Sequence, residues 1–163
     1  MENKMFCFQC EQTAGCSGCT GKVGVCGKNA DVAALQDKLT GELIGLVRVT
    51  GDVVPTGNIL KLIIEGLFTT LTNVSFNEQT LNELIEKVRA ERERLVPQCF
   101  ACASPCGTNN EYDLSHIWTD NEDIRSLKSL ILFGIRGMAA YAYHAMVLGY
   151  TNDEVSHFFV KAL

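Results

Sequence analysis

Residues 32–47 read Val-Ala-Ala-Leu-Gln-Asp-Lys-Leu-Thr-Gly-Glu-Leu-Ile-Gly-Leu-Val, and this stretch decides the fold class. Its apolar residues recur at spacings of three, four and one. They are Val32, Leu35, Leu39, Leu43, Leu46 and Val47. Such spacing places one apolar stripe along an α-helix. Gly51, Pro55 and Gly57 follow and are expected to end that helix.

Two further helices are predicted before residue 97. The first runs from Asn58 to about Leu71 and is apolar on most of its circumference, which indicates a central position. The next runs from Glu78 to Leu95, with Asn77 as its N-cap and Pro97 as its stop. Its expected buried face consists of Leu81, Leu84, Ile85 and Val88.

The C-terminal part predicts a long helix and a short one after an irregular segment, residues 97–119. The long helix is expected to start near Asp120 and to end at Gly149. Its expected inward residues are Ile124, Leu127, Ile131, Ile135, Met138, Ala142 and Ala145. Thr151 and Glu154 form a capping-box pattern that opens the last helix. The predicted fold is therefore all-α, a bundle of about five helices preceded by a cysteine-rich loop.

Residues 1–28 form that loop, and residues 29–163 form the helical bundle as one domain. The loop contains Cys7, Cys10, Cys19 and Cys26 among frequent glycines and has little apolar bulk. Such a segment cannot build a core of its own, so we expect a metal centre to organise it. The chain ends at Leu163 inside the last helix without a stop signal, which suggests a piece of a longer protein.

Composition and charge narrow the function class. The net charge of −5 and a pI of about 5.2 argue against nucleic acid or an anionic membrane as the main partner. The N-terminus carries no apolar signal segment, and the run from Ile59 to Leu71 is shorter than the ~20 residues of a membrane span. We therefore expect a soluble, cytoplasmic protein. In that setting, eight cysteines indicate metal ligands or redox groups rather than disulfides.

The four loop cysteines have the spacing C-x2-C-x8-C-x6-C. Four thiolates on a glycine-rich loop suit an iron–sulfur cluster. Structural zinc accepts the same donors and remains an alternative, although zinc ribbons prefer C-x2-C pairs at both ends. Cys16 allows a second set, Cys7, Cys10, Cys16 and Cys19, with Cys26 left free.

Several motifs resemble those of the hybrid-cluster proteins, also called prismane proteins or hydroxylamine reductases. The opening motif is Met5-Phe6-Cys7-Phe8-Gln9-Cys10-Glu11-Gln12-Thr13, followed by Gly18-Cys19-Thr20 and Cys26-Gly27-Lys28. Downstream, the resemblance continues in Leu35-Gln36-Asp37, Thr70-Leu71-Thr72-Asn73-Val74 and Gly134-Ile135-Arg136-Gly137-Met138-Ala139-Ala140-Tyr141, with His144-Ala145 and Gly149. It covers most of the chain and favours Cys26 over Cys16 as the fourth ligand.

The resemblance implies that Cys7, Cys10, Cys19 and Cys26 bind the proximal cluster of that family. The short first gap favours [4Fe-4S], with [2Fe-2S] as the alternative. The cluster would relay electrons from a redox donor to a hybrid cluster held by later domains, which this chain lacks. We therefore expect no catalytic residue and no hydroxylamine reductase activity in this chain alone. Its expected partners are the rest of the enzyme, the electron donor and, for the isolated piece, a second copy. A zinc-stabilised interaction module without redox chemistry is the competing hypothesis.

Two other groups of residues have weaker functional signals. Cys99, Cys102 and Cys106 form a second cysteine group, which we predict to be metal-free because a fourth ligand is not obvious. Cys16 or His116 would be needed to complete a site there. His144 is expected to be a polar core or interface residue, and His116 and His157 to be solvated. The run Glu91-Arg92-Glu93-Arg94 is interpreted as a solvated helix end.

Overall fold

The computed structural model describes residues 4–10, 17–55, 57–95 and 114–163. Cys16 and the second cysteine group lie outside these residues, as does the side chain of His116. The described helices are α1 (Ala30–Thr50), α2 (Gly57–Thr69), α3 (Glu78–Leu95), α4 (Ser115–Thr119), α5 (Glu122–Val147) and α6 (Asp153–Ala162). The described part of the chain contains no strand, only one isolated antiparallel bridge in the loop. The all-α prediction is confirmed.

The core lies between α1, α2 and α3. Helix α1 packs chiefly against α3, and α2 packs against α5 as well as α1. Of the stripe expected on α1, all residues are buried except Leu35, which is half-buried and packs against the core. All four residues expected on α3 are buried. Periodicity identified the buried face of α3 correctly, whereas α1 is buried on all sides from Leu39 to Val47, including Ile44 outside the expected stripe.

The helix ends are set by side-chain caps and glycines. Asn29 accepts a hydrogen bond from the Val32 amide at 2.7 Å, so α1 begins directly after the cysteine loop. Gly149 adopts φ +84° just after α5, as its predicted role as a terminator requires. Helix α5 begins at Glu122, near Asp120 as predicted, with Asn121 as its cap. The predicted cap of α6 was wrong by one residue, since Asn152 rather than Thr151 caps it. The amide oxygen of Asn forms the same cap as the hydroxyl of Thr.

Helix α4 and the orientation of α5 differ from the prediction. The short α4 occupies part of the segment predicted to be irregular. On α5, the buried residues are Leu132, Ile135, Arg136 and Ala139. Of the expected inward set, Ile135 is buried and the two alanines are half-buried, but the other four are exposed; these are Ile124, Leu127, Ile131 and Met138. Helix α5 is apolar on more than one side, so periodicity alone could not select its buried face.

Helix α5 is also long and apolar enough to cross a membrane by length and composition. It is the one described helix that meets this criterion, with a mean hydropathy of 1.3 over the best window. Core helices of water-soluble proteins meet the same criterion. In this chain α5 packs against α2 and α6 and carries the buried Arg136.

The Glu91–Arg94 segment is not a simple solvated helix end. Glu91 is buried and accepts hydrogen bonds from Asn58 Nδ2 at 3.1 Å and Arg94 Nη2 at 2.5 Å. Arg92 reaches back to α1, where its Nη1 lies 2.7 Å from a carboxylate oxygen of the fully buried Glu42. These charges tie α3 to α1 and α2, which the charge pattern alone did not indicate.

Candidate metal centre

Two of the four predicted ligands are brought together by backbone pairing. The Cys7 amide donates to the Cys19 carbonyl at 3.0 Å, and the Cys19 amide donates to the Cys7 carbonyl at 2.8 Å. Residues paired in this way have Cα atoms about 5.5 Å apart and side chains on the same face. Gly18 adopts φ +60°, and a Cβ there would lie 2.7 Å from the Cys7 carbonyl oxygen. Only glycine therefore permits this close approach of the two chain segments.

A tight turn places Cys26, the fourth predicted ligand, near the same end of the molecule. The Gly24 amide donates to the Lys28 carbonyl at 2.8 Å, and the Gly27 amide donates to the Gly24 carbonyl at 2.9 Å. A Cβ on Gly24 would lie 3.3 Å from Met5 Cε and 3.6 Å from Cys26 Sγ. This packing brings Cys26 close to the chain segment that carries Cys7.

Lys28 is the charged group at the centre of the loop. Its side chain is buried, with 2% of its surface exposed. The ammonium lies 3.6 Å from Cys7 Sγ and donates to Gln9 Oε1 at 2.9 Å and to Gln36 Oε1. Burial raises the pKa of the Cys7 thiol, and the charge of Lys28 opposes that rise. The ammonium therefore favours the thiolate, which is the form that binds metal.

Helix α1 contributes Gln36 and Asp37 to the hydrogen-bond network around Lys28. Gln36 Nε2 donates to the Ser75 carbonyl at 2.9 Å, which fixes its Oε1 toward Lys28. Gln9 Nε2 donates to Asp37 Oδ1 at 2.5 Å, so Gln9 bridges Lys28 and Asp37. Burial raises the pKa of Asp37 to about 6, against the opposing effects of Gln9, Arg136 and Lys28.

Arg136 supplies a second buried positive charge, from α5. Its Nε donates to Thr70 Oγ1 at 3.0 Å, and its Nη2 donates to Thr40 Oγ1 at 3.1 Å. Both hydroxyls donate onward to helix carbonyls, those of Leu67 and Gln36, so their lone pairs face the guanidinium. Burial lowers the pKa of Arg136, while Asp37 and Cys7 act in the opposite direction. Arg136 thus connects α5 to the charges beneath the loop.

The donor set fits an iron–sulfur cluster in its chemistry. Cys7, Cys10, Cys19 and Cys26 are free thiols, of which Cys7 is buried and the others are half-buried. The buried ammonium beside Cys7 offsets the negative charge that thiolates bring. Among the described residues, however, no three His, Cys, Asp or Glu side chains lie close enough to hold one metal ion. The described residues therefore pair the backbones of Cys7 and Cys19, and they do not bring all four thiols within reach of one metal ion.

Comparisons with known proteins identify the family. The model of the Prismane/CO dehydrogenase family matches residues 5–163. This chain belongs to that family. It is similar to curated hydroxylamine reductases from Clostridium perfringens (38% identity), Clostridium novyi (37%) and Methanocaldococcus jannaschii (40%). The matches cover 97–98% of this chain but only 32–33% of each relative. The chain thus spans about a third of the length of these relatives.

In this prismane-family chain, aromatic rings pack against one another beside Cys10. Phe8 packs against Trp118 of α4 with ring centroids 5.1 Å apart, and Phe6 contacts both rings at 6.4 and 6.0 Å. The guanidinium of Arg125 lies 5.9 Å from the Phe8 centroid. Beside them, an open cleft of about 310 Å³ is lined by Cys10, Arg136 and Leu130 among others. The short helix α4, missed by the sequence analysis, therefore provides part of the loop's cover.

The sequence analysis also missed the polar residues beneath the ligands. Gln9, Lys28, Gln36 and Asp37 were quoted within motifs but were assigned no role. Gln9, Lys28 and Gln36 are all buried, although these residue types are usually exposed. In the sequence, only the nearness of these residues to the cysteine motif pointed to a role. The structure was needed to show that they are buried, which is what identifies the role.

His144 and His157 lie apart from the loop network. His144 is exposed rather than in the core and contacts the rings of Phe68 and Tyr143 at 5.8 and 5.9 Å. His157 is half-buried and lies 2.6 Å from an Asp52 carboxylate oxygen, so it is not merely solvated. Neither residue belongs to a described group that could hold a metal ion.

Proposed function

We propose that this chain is the N-terminal part of a hydroxylamine reductase of the hybrid-cluster type. Cys7, Cys10, Cys19 and Cys26 hold its proximal cluster, [4Fe-4S] in this proposal. When bound, that cluster supplies one-electron transfer toward a hybrid cluster in the remaining two thirds of the enzyme. The observation that carries the proposal is the buried Lys28 ammonium beside Cys7 Sγ, in a chain that matches this family over nearly its full length.

The protein residues have three tasks in this function. The loop glycines allow the ligand-bearing segments to approach each other, as Gly18 does for Cys7 and Cys19. Lys28 stabilises the thiolate form of a ligand. The packed rings of Phe8 and Trp118 cover part of the loop, and burial is one of the factors that set cluster potentials.

The remainder of the enzyme is the proposed partner of the exposed apolar face of α5. This face includes Leu127, Leu130 and Tyr141, which expose 62%, 67% and 82% of their surfaces. Apolar patches of this kind are common at interfaces. In isolation, the chain is expected to self-associate through α5, and a strict monomer in sedimentation would contradict this.

We propose a cytoplasmic location, because free thiols persist in reducing compartments.

Iron and acid-labile sulfide determination on anaerobically reconstituted protein tests the cluster assignment. We expect about four irons per chain, a brown colour bleached by dithionite, and an EPR signal of the reduced cluster. Two irons with two sulfides would indicate [2Fe-2S]. Colourless protein containing zinc would favour the structural zinc module, and a chain that takes up neither iron nor sulfide would refute the electron-transfer function.

Matched cysteine variants identify the fourth ligand. Cys26→Ser is expected to abolish cluster uptake, whereas Cys16→Ser is expected to leave it intact. The reverse result would assign Cys16 as the ligand. Cys102→Ser tests the second cysteine group, for which we propose no metal. Iron content clearly above four per chain that falls in this variant would contradict that proposal.

A further inference from the structure

The buried ammonium of Lys28 has an unusual set of partners. Within the described residues, it hydrogen-bonds to two neutral amide oxygens, those of Gln9 and Gln36, and to Cys7 Sγ. An ammonium carries three donors, and these three contacts use all of them. Buried charges require a compensating charge nearby. The sulfur of Cys7 is the partner in direct contact that can carry one.

Asp37 is the second negative group near Lys28, but it lies one side chain further away. Gln9 separates the two, since its amide accepts from Lys28 and donates to Asp37. Arg136 approaches Asp37 from α5 and is held by Thr40 and Thr70. The charges near Cys7 thus follow one another as Lys28, Asp37 and Arg136; Gln9 of the loop hydrogen-bonds the first two, and Thr40 and Thr70 of the helical body hydrogen-bond Arg136.

We infer that Lys28 is a positioning residue that raises the reduction potential of the centre bound by Cys7, and that Asp37 lowers it. The inference rests on the proposed function. Reduction adds one electron, and therefore one negative charge, to the ligand assembly. A fixed positive charge that hydrogen-bonds a ligand sulfur stabilises the reduced form more than the oxidised form. A fixed negative charge behind a neutral bridge has the opposite, weaker effect.

A merely structural role for Lys28 predicts a different outcome. If Lys28 only linked Gln9 and Gln36 by hydrogen bonds, its substitution would reduce retention of the cluster and leave the reduction potential unchanged. Lys28→Met keeps the apolar stem and removes the charge, whereas Lys28→Arg keeps the charge. Lys22 lies on the same loop and is exposed, so Lys22→Met is a matched control for loss of one positive charge.

The test is a redox titration of the anaerobically reconstituted chain at pH 8, with dithionite as reductant and EPR as the readout. We expect Lys28→Met to lower the equilibrium constant for reduction about tenfold, which is 59 mV for one electron. Lys28→Arg should recover most of this shift, and Lys22→Met should match the wild type. Asp37→Asn should shift the potential upward by a smaller amount. Equal potentials for Lys28→Met and the wild type would overturn the inference.

The remaining outcomes also decide the question. If Lys28→Met does not take up iron, Lys28→Gln, which keeps a hydrogen-bond donor and removes the charge, takes its place in the titration, and a wild-type potential in that variant would overturn the inference. If Lys28→Arg reproduces the full shift of Lys28→Met, geometry rather than charge sets the potential and the inference is wrong. Failure of the wild type to bind iron appears before any variant is compared and contradicts the proposed function instead.

Discussion

The cysteine loop and the α1–α3 core are stabilised by different interactions. In the core, leucine, isoleucine and valine side chains from α1, α2 and α3 are almost completely buried. Among the described residues, the buried apolar cluster at the loop has three members, Met5 and Cys7 of the loop and Ala33 of α1. Burying a large aliphatic side chain contributes about 1.5–3 kcal/mol, so the core can stabilise itself and the loop cannot.

The loop instead depends on polar contacts to the core. Lys28, Gln9 and Gln36 form a buried hydrogen-bonded network, and within the part of the loop that the structure describes, backbone pairing joins Cys7 to Cys19 and closes one turn. Hydrogen bonds contribute modestly to net stability but impose specific geometry. The difference indicates that the core determines where the loop lies, and we expect the proposed metal centre to keep the loop closed.

Removal of the metal centre is expected to have the largest effect and to be confined to the loop. Aerobic oxidation with a chelator should remove all iron and allow trypsin to cut after Lys28, which is buried when the loop is closed. Helical circular dichroism should largely persist, because the helices have their own apolar faces. Cleavage sites can be read by mass spectrometry.

Lys22 provides the control for this experiment, since it is exposed and should be cut in both forms. Unfolding of the whole chain on iron loss would show that the two regions are not independent. Protection of Lys28 after complete iron loss would show that the polar network alone closes the loop.

Breaking the buried ion pair between α1 and α3 is expected to have the second largest effect. Glu42 is fully buried and is paired with Arg92 at 2.7 Å and Arg89 at 2.7 Å. Arg92→Ala leaves the carboxylate with one partner and should lower the free energy of unfolding by about 3 kcal/mol, at the low end for broken buried pairs. Urea denaturation measures this loss.

The matched control is Glu86→Ala, which removes the exposed partner of Arg89 on the same helix. Exposed pairs contribute little, so this variant should match the wild type. Iron content should be unchanged in both variants. Loss of iron from folded Arg92→Ala protein would show that the core interface also controls the loop.

Close packing of α1 against α2 gives a third, smaller expected effect. A Cβ on Gly66 would lie 2.8 Å from Leu43 Cδ1 and 3.0 Å from Cδ2, whereas one on Gly134 meets nothing within 4 Å. Both substitutions to alanine gain the same helix propensity. Gly66→Ala should therefore be about 1–3 kcal/mol less stable than Gly134→Ala, the usual cost of overpacking. Equal urea midpoints would show that Leu43 moves aside freely.

The sequence predicted the core better than the site, for a physical reason. The apolar stripe of α3 has helical periodicity and a polar opposite face, and α1 is buried on all sides from Leu39 to Val47, so the apolar residues predicted there lie in the core in either case. Helix α5 has apolar residues around most of its surface, and the buried Arg136 lies among them. Its orientation is fixed by Thr40 and Thr70, which lie 96 and 66 residues earlier in the chain. Local patterns do not contain such distant contacts.

The cysteine ligands themselves were recognisable from spacing and resemblance, and their assignment stays a prediction. The groups that adjust their chemistry were not recognisable. Lys28 and Asp37 are ordinary surface residue types, and their importance depends on burial and on the bridge through Gln9. A metal-binding motif therefore indicates the donors, but the electrostatics around them requires the three-dimensional structure.

The smallest expected effect is a pH dependence of the free energy of unfolding, which arises at Asp37 where the loop meets the core. Its pKa is raised from 3.8 to about 6 in the folded chain, mainly by burial, with Gln9, Lys28 and Arg136 facing it. Between these values the folded state binds more protons than the unfolded state, so stability falls as pH rises. From pH 5 to 7.5 this group alone should reduce the free energy of unfolding by about 1.4 kcal/mol.

Anaerobic urea denaturation of cluster-loaded wild type and Asp37→Asn measures this contribution as the difference between their pH slopes. The variant lacks the carboxyl and should show the shallower decline. Because Gln9 and Lys28 belong to the loop, opening the loop should expose Asp37 to water and lower its pKa. The difference between the slopes should therefore disappear in metal-free protein, and a difference that persists would mean that the core alone buries Asp37.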